Sequence, residues 1–250
     1  MSTTDKPKPE PKRWILIISL GPQANYKQTH PELMTKLTSN GFTIETVYRR
    51  NELIDLLQSE SKDEGENSPP TAILLTDDRL KYDINNDIWG ALMKYVRKGG
   101  ISISLWSPQS WSEREGDESI FAKTGLPWLI GLRRYTTLQL NSNATWNVLS
   151  VLPERFSIYG MSIHNVSMYD RWYNNVDSET RICNEYDIPG EAKIAMTRIE
   201  EGWFGFVGDL ALEQYSLMVI VAMCKLSTPG VGLVEGTARM GRYDVLSPYS

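Results

Sequence analysis

Histidine and cysteine are scarce in this chain of 250 residues, with two of each. Hydrolytic and metal-dependent sites draw heavily on those side chains, so the shortage narrows the chemistry at once. His30 and His164 are far apart, and Cys183 and Cys224 stand alone, so no zinc-ligand spacing is present. No metal and no cofactor is expected. Neither Gly-x-Cys-x-Gly nor Gly-x-Ser-x-Gly occurs, which removes the usual signature of a nucleophile held on a strand-to-helix turn. A phosphate cradle is missing too, because Gly99-Gly100 comes before its strand instead of opening the helix after one.

Long apolar runs and excess positive charge are also lacking. The uncharged stretch Leu217 to Cys224 is far short of the roughly 20 residues a bilayer span needs, so no membrane partner is expected. A formal charge of −5 gives no basic footprint, and nucleic acid is not an expected partner. Residues 1–13 mix proline, lysine and glutamate without the apolar run of a secretory signal. Together with Cys224 inside an apolar run, where a free thiol is expected, this predicts a reducing, cytoplasmic setting.

What is present is an alternation of strands and helices, with 41% hydrophobic residues to build one core. After a disordered tail over 1–13, Trp14 to Leu20 reads as a strand buried on both faces, ended by Gly21-Pro22. Pro31 to Asn40 reads as a helix closed by Gly41, and Phe42 to Tyr48 as a strand. A helix over Asn51 to Ser59, an exposed acidic loop over 60–70 and a strand over Thr71 to Thr76 follow, ending at Asp77-Asp78. Asp87 to Lys98 is an amphipathic helix stopped by Gly99-Gly100, and Ile101 to Leu105 the fourth strand. Tyr135 to Asn141 alternates as a partly exposed strand, while 142–190 reads as an irregular cap or insertion. Ala192 to Arg198 and Trp203 to Val207 form a late hairpin, and Glu213 to Leu226 is a helix, with a buried strand as the alternative. Residues 227–250 form a tail. The fold class is therefore α/β: an open, mostly parallel sheet, flavodoxin-like, with helices on both faces in one domain over 14–226.

Tyr95-Val-Arg-Lys-Gly-Gly-Ile-Ser-Ile-Ser-Leu105 resembles the helix, Gly-Gly and strand of class I glutamine amidotransferase-like domains, and of ThuA-like proteins in particular. Leu152-Pro-Glu-Arg-Phe156, Tyr169 and Glu201-Gly-Trp-Phe-Gly-Phe-Val-Gly208 agree with that resemblance. It implies a cysteine nucleophile in the turn after the fourth strand and a downstream histidine base. Here that turn holds Trp106-Ser107-Pro108, so the resemblance implies the fold and withholds the catalyst. It also leaves a homo-oligomer open as a form of the protein.

Two functions are expected from these residues. The preferred one is a non-catalytic or catalytically lapsed domain that binds a small molecule or a protein partner at the carboxyl edge of the sheet, through Trp106, Ser107, Asp77 and Asp209. The alternative is a hydrolase with Ser107 as nucleophile, His164 as base and Asp209 or Asp170 as the orienting acid. Pro108 counts against it, since it removes a backbone N–H that an oxyanion hole would use. A magnesium site on Asp77, Asp78 and Asp209 is weaker than their use as turn and helix caps. The aromatics Trp111, Trp128, Trp146, Trp172 and Tyr173 are read as core before platform, with Trp106 the one expected to line a site.

Overall fold

A computed structural model describes residues 13–20, 28, 30–58, 68–76, 79–105, 120–144, 151–176 and 190–226. In chain order the elements of the first half are β1 (Trp14–Ile18), α1 (Pro31–Ser39), β2 (Thr43–Val47), α2 (Arg50–Gln58), β3 (Ala72–Leu75), α3 (Asn86–Arg97) and β4 (Ile101–Leu105). The second half contributes β5 (Leu129–Leu140), β6 (Arg155–His164), β7 (Tyr173–Asn175), β8 (Ile194–Ile199), β9 (Gly202–Val207) and α4 (Gln214–Cys224). Six strands form one sheet in the order β2-β1-β3-β4-β9-β8, parallel except for β8. The mostly parallel α/β sheet expected from the sequence is there.

Apolar runs build this sheet because both of its faces are covered. Ile15 and Ile17 of β1, with Ala72 and Leu74 of β3, point into a layer shared with Leu33 and Leu37 of α1 and the residues of α4. Leu16, Ile18, Ile73 and Leu75 point the other way, toward Leu53 of α2 and Ile88, Leu92 and Val96 of α3. The period of two therefore divides each strand between two cores. The segment left open between helix and strand is the helix α4, and its Cys224 is a buried free thiol whose ionisation burial pushes up.

The Gly99-Gly100 break has a steric cause. Gly99 ends α3 at φ +106°, a conformation side chains rarely adopt, and a Cβ on Gly100 would overlap the Tyr95 ring. That ring folds back so that its hydroxyl donates to Pro70 O (2.9 Å) and accepts from Ile101 N (3.1 Å). The turn thus aims the chain directly into β4.

The three remaining strands make a second, antiparallel sheet in the order β6-β5-β7. Here the sequence and the structure differ. β5 begins at Leu129, six residues before the expected strand, and β6 and β7 occupy a stretch that reads as irregular. In β6 only Arg155 to Gly160 alternates between exposed and buried; from Met161 to His164 every residue is buried, so the period of two disappears. A register shift between Ile130 and Arg133 hides the start of β5 in the same way.

The second sheet docks on the first by backbone contact. Gly160 bridges Asp209, Ile163 bridges Ala192, and Arg171 bridges Ala195. Met161 N donates to Gly208 O (2.8 Å), and Ile163 and Ala192 exchange a pair of hydrogen bonds at 2.8 Å. This crossing needs glycine on both sides. A Cβ on Gly160 would overlap Gly208 O, and one on Gly208 would overlap Met161 O. The fully buried Lys193 adds a tie by donating from Nζ to Gly160 O.

Candidate functional site

In an open parallel sheet, ligands collect outside the carboxyl ends of the strands, at the point where successive crossovers leave in opposite directions. Here the chain passes from β1 to β2 on one side and from β3 to β4 on the other, so that point lies between β1 and β3. Their ends are laced together just there. Thr76 donates from both N and Oγ1 to Ile18 O (3.1 and 2.9 Å), and Ser19 N donates to Val47 O (3.0 Å). Asp77, Trp106 and Ser107, with Asp78, Pro108, Trp111, Trp146 and Cys183, lie outside the described residues.

The other end of the carboxyl edge is occupied by protein. β6 runs across the end of β9, with Leu210 N donating to Tyr159 O (3.2 Å) beside the Gly160–Asp209 bridge. Asp209 is completely buried under this crossing. Its Oδ1 accepts from Ala211 N (3.0 Å) and its Oδ2 from Glu213 N (2.9 Å), which braces the turn into α4 around Leu212 at φ +50°. Both carboxylate oxygens are spent on backbone N–H groups, the structural role that acids at strand ends commonly take.

His164 ends β6, opposite Leu129 of β5, and is 8% exposed. Asp209 faces Gly160, four residues earlier on the same strand, which is about 13 Å of extended chain. The structure does not bring this acid and this imidazole within hydrogen-bond reach. The charges near His164 are Glu191 and Arg134 instead. Burial holds the imidazole below its ordinary range; the Glu191 carboxylate opposes that shift, and the Arg134 guanidinium adds to it. Arg134 is ion-paired to Glu191, whose Oε2 also accepts from Asn175 Nδ2 (3.0 Å). The other histidine, His30, directly precedes α1, and burial lowers it as well, against the raising effect of Glu32.

The aromatic residues divide as their burial dictates. Trp128 is packed on Phe121 and Phe204 (ring centroids 5.5 and 6.3 Å), Trp172 is in the core, and the buried Tyr173 donates to Pro153 O (2.9 Å). None of the three forms a platform. Small residues opposite make room for the cluster: Ser102 and Ser104 of β4 pair in register with Phe204 and Phe206. The exposed ring pair is one the sequence reading passed over, Tyr135 and Tyr159, 4.7 Å apart on the outer face of the second sheet. The alternation of Tyr135 to Leu140 was its available signal. Among the described residues no three His, Cys, Asp or Glu side chains gather as metal ligands, and no helix is long and apolar enough to cross a membrane.

With this geometry the chain overlays the crystal structure of a ThuA-like protein from Bacteroides uniformis at a TM-score of 0.56, with 10% identity over 85% of this chain and 89% of that one. The fold is ThuA-like. A ThuA-like protein from Parabacteroides merdae (TM-score 0.47, 14% identity, 87% and 89% covered) and a cytoplasmic protein from Salmonella typhimurium (0.48, 10%, 83% and 92%) are similar more loosely. No family model and no curated protein matches the chain. At such identities the ThuA-like architecture is shared and no individual side chain is carried over.

Proposed function

We propose that this is a catalytically lapsed, amidotransferase-like binding domain that takes a small molecule or a protein partner at the carboxyl edge of its parallel sheet. The strand order β2-β1-β3-β4 supports a crevice at the ends of β1 and β3, where ligands of such sheets bind. Asp77 follows β3, and Trp106 and Ser107 follow β4, closely in sequence, so these three are the residues assigned to it. A carboxylate and a flat ring are the residue types that suit a polar ligand with one apolar face.

One observation carries the reading. Asp209, the acid placed with His164 in the alternative hydrolase, is buried with both oxygens bonded to the turn before α4. With both of its oxygens committed there, Asp209 is not free to orient a histidine base, so the alternative loses one of its two candidate acids. Asp209 therefore leaves the ligand-binding set, and binding is assigned to the β1–β3–β4 end. The buried thiol of Cys224 supports the reducing, cytoplasmic setting assigned to the protein.

Ligand-observed NMR against a library of small polar metabolites tests this. Binders are expected whose signal changes are lost in Asp77→Asn and Trp106→Ala. A library with no such binder overturns the assignment. Labelling of the native chain by a fluorophosphonate, abolished in Ser107→Ala, overturns it in favour of the hydrolase.

A further inference from the structure

His164 is buried at the end of β6. Its ring lies against Gly131, in the irregular stretch of β5 where the register with β6 shifts. A Cβ on Gly131 would overlap His164 Nε2, so glycine is what admits the ring. Next to it Ser162 Oγ accepts from Leu132 N (3.0 Å) and donates to Leu132 O (3.1 Å), which holds the shifted strand in place. His164 Nδ1 is buried and has no hydrogen-bond partner. The charged groups that act on the ring are Arg134 of β5 and Glu191, next to the Ile163–Ala192 bridge, and the Glu191 carboxylate is already engaged by Arg134 and Asn175.

The position matters because of what surrounds it. Ile163 bridges Ala192, and Val166 N donates to Gly190 O (3.0 Å), so His164 sits between two of the backbone ties that hold the second sheet to the chain entering β8. We propose that His164 is an acid-sensitive latch: protonating its ring places a second cation beside Arg134 and a buried N–H without an acceptor, and loosens the three-stranded sheet from the β8–β9 edge. Two relaxations are open to the cation. Glu191 can leave Arg134 and Asn175 for the imidazolium, or the shifted stretch of β5 can part from β6 to admit water.

The sign follows from linkage. The folded state prefers the neutral ring, and the loosened state lets it titrate near the ordinary value of about 6.5. Protection of the second sheet is thus complete above that pH and falls as pH drops below it.

Amide hydrogen exchange of the full chain at pH 7.5 and pH 5.0, normalised for intrinsic exchange rates, reads this directly. Peptides from residues 129–140 and 155–164 are expected to lose about tenfold more protection at the lower pH than peptides from β1, β3 and β4. In His164→Gln that excess disappears, whereas in His30→Gln it is retained. Equal losses in both sheets, or the same excess in His164→Gln, overturn the latch. Should His164→Gln fail to fold, the native chain still decides. It has only two histidines, so its imidazole C–H resonances can be titrated individually with His30→Gln as the assignment. A His164 midpoint at or above the ordinary value overturns the proposal, and one below it supports it.

Discussion

The two sheets of this protein are held together by different means. In the parallel sheet, side chains do the packing: β1 and β3 bury almost every residue between two helical layers, and a cluster of Trp89, Phe121, Trp128, Phe204 and Phe206 fills the layer over β9. In the three-stranded sheet one face is open, and its junction with the rest of the fold is made of backbone bridges, crossing glycines and one buried lysine. A side-chain core tolerates change in proportion to volume. A backbone crossing admits no added atom, so the junction should respond to substitutions that the sheet interiors ignore.

The largest effect is expected where the two modes meet. Trp128 lies just before β5 yet packs on Phe204 of β9, so it belongs by sequence to the second sheet and by contact to the first. Trp128→Ala should lower stability by about 3–5 kcal/mol, the usual cost of deleting a buried large aromatic. Urea unfolding followed by circular dichroism measures it. A loss below about 1 kcal/mol would mean that the cluster does not couple the sheets and that another contact links them.

Gly160→Ala probes the junction alone. The added methyl would overlap Gly208 O, and a backbone oxygen cannot rotate away as a side chain can. A cost of about 3 kcal/mol is expected, at the upper end of overpacking. Gly90→Ala, in α3 with nothing near the added carbon, is the internal control and should be neutral or slightly stabilising. Equal responses at the two glycines would remove the distinction between the regions.

That distinction also explains what could be read from the residues. Apolar runs such as Trp14-Ile-Leu-Ile-Ile18 and the Lys98-Gly-Gly-Ile101 turn are local signals, and each strand of the parallel sheet emerged within a few residues of its observed ends. β6 gave no such signal, because its burial from Met161 onward comes from Gly208 and Ala192, about 30 to 50 positions away in sequence. Nothing local marks Gly160 either, because its partner is a carbonyl that only the fold supplies. In the candidate site, Asp209 was found as an acid at a strand end, but its commitment to Ala211 and Glu213 depends on a turn with Leu212 at positive φ, which composition does not announce. His164 stood out through the scarcity of histidine; Glu191 and Arg134 beside it did not, since they come from separate segments of the chain.

The smallest effect should come from the open face. Tyr135 is 76% exposed and meets Tyr159 across the β5–β6 pair at 4.7 Å, beside the Thr137–Ser157 hydroxyl pair at 3.0 Å. Cross-strand aromatic pairs on a solvated face contribute about 0.2–1 kcal/mol, so Tyr135→Ala should fall in that range in the same urea titration. The value bears on what the face is for. A cost near 1 kcal/mol makes the pair a staple for a sheet that has little side-chain core of its own, and places it with the glycine crossing as a structural device. A cost indistinguishable from zero leaves an exposed pair of large rings without a structural reason, on strands that carry Arg133, Arg134 and Arg155 and no acidic residue in a chain of charge −5. Under that outcome the open face of the second sheet, and not its junction, is where contact with another molecule should be sought.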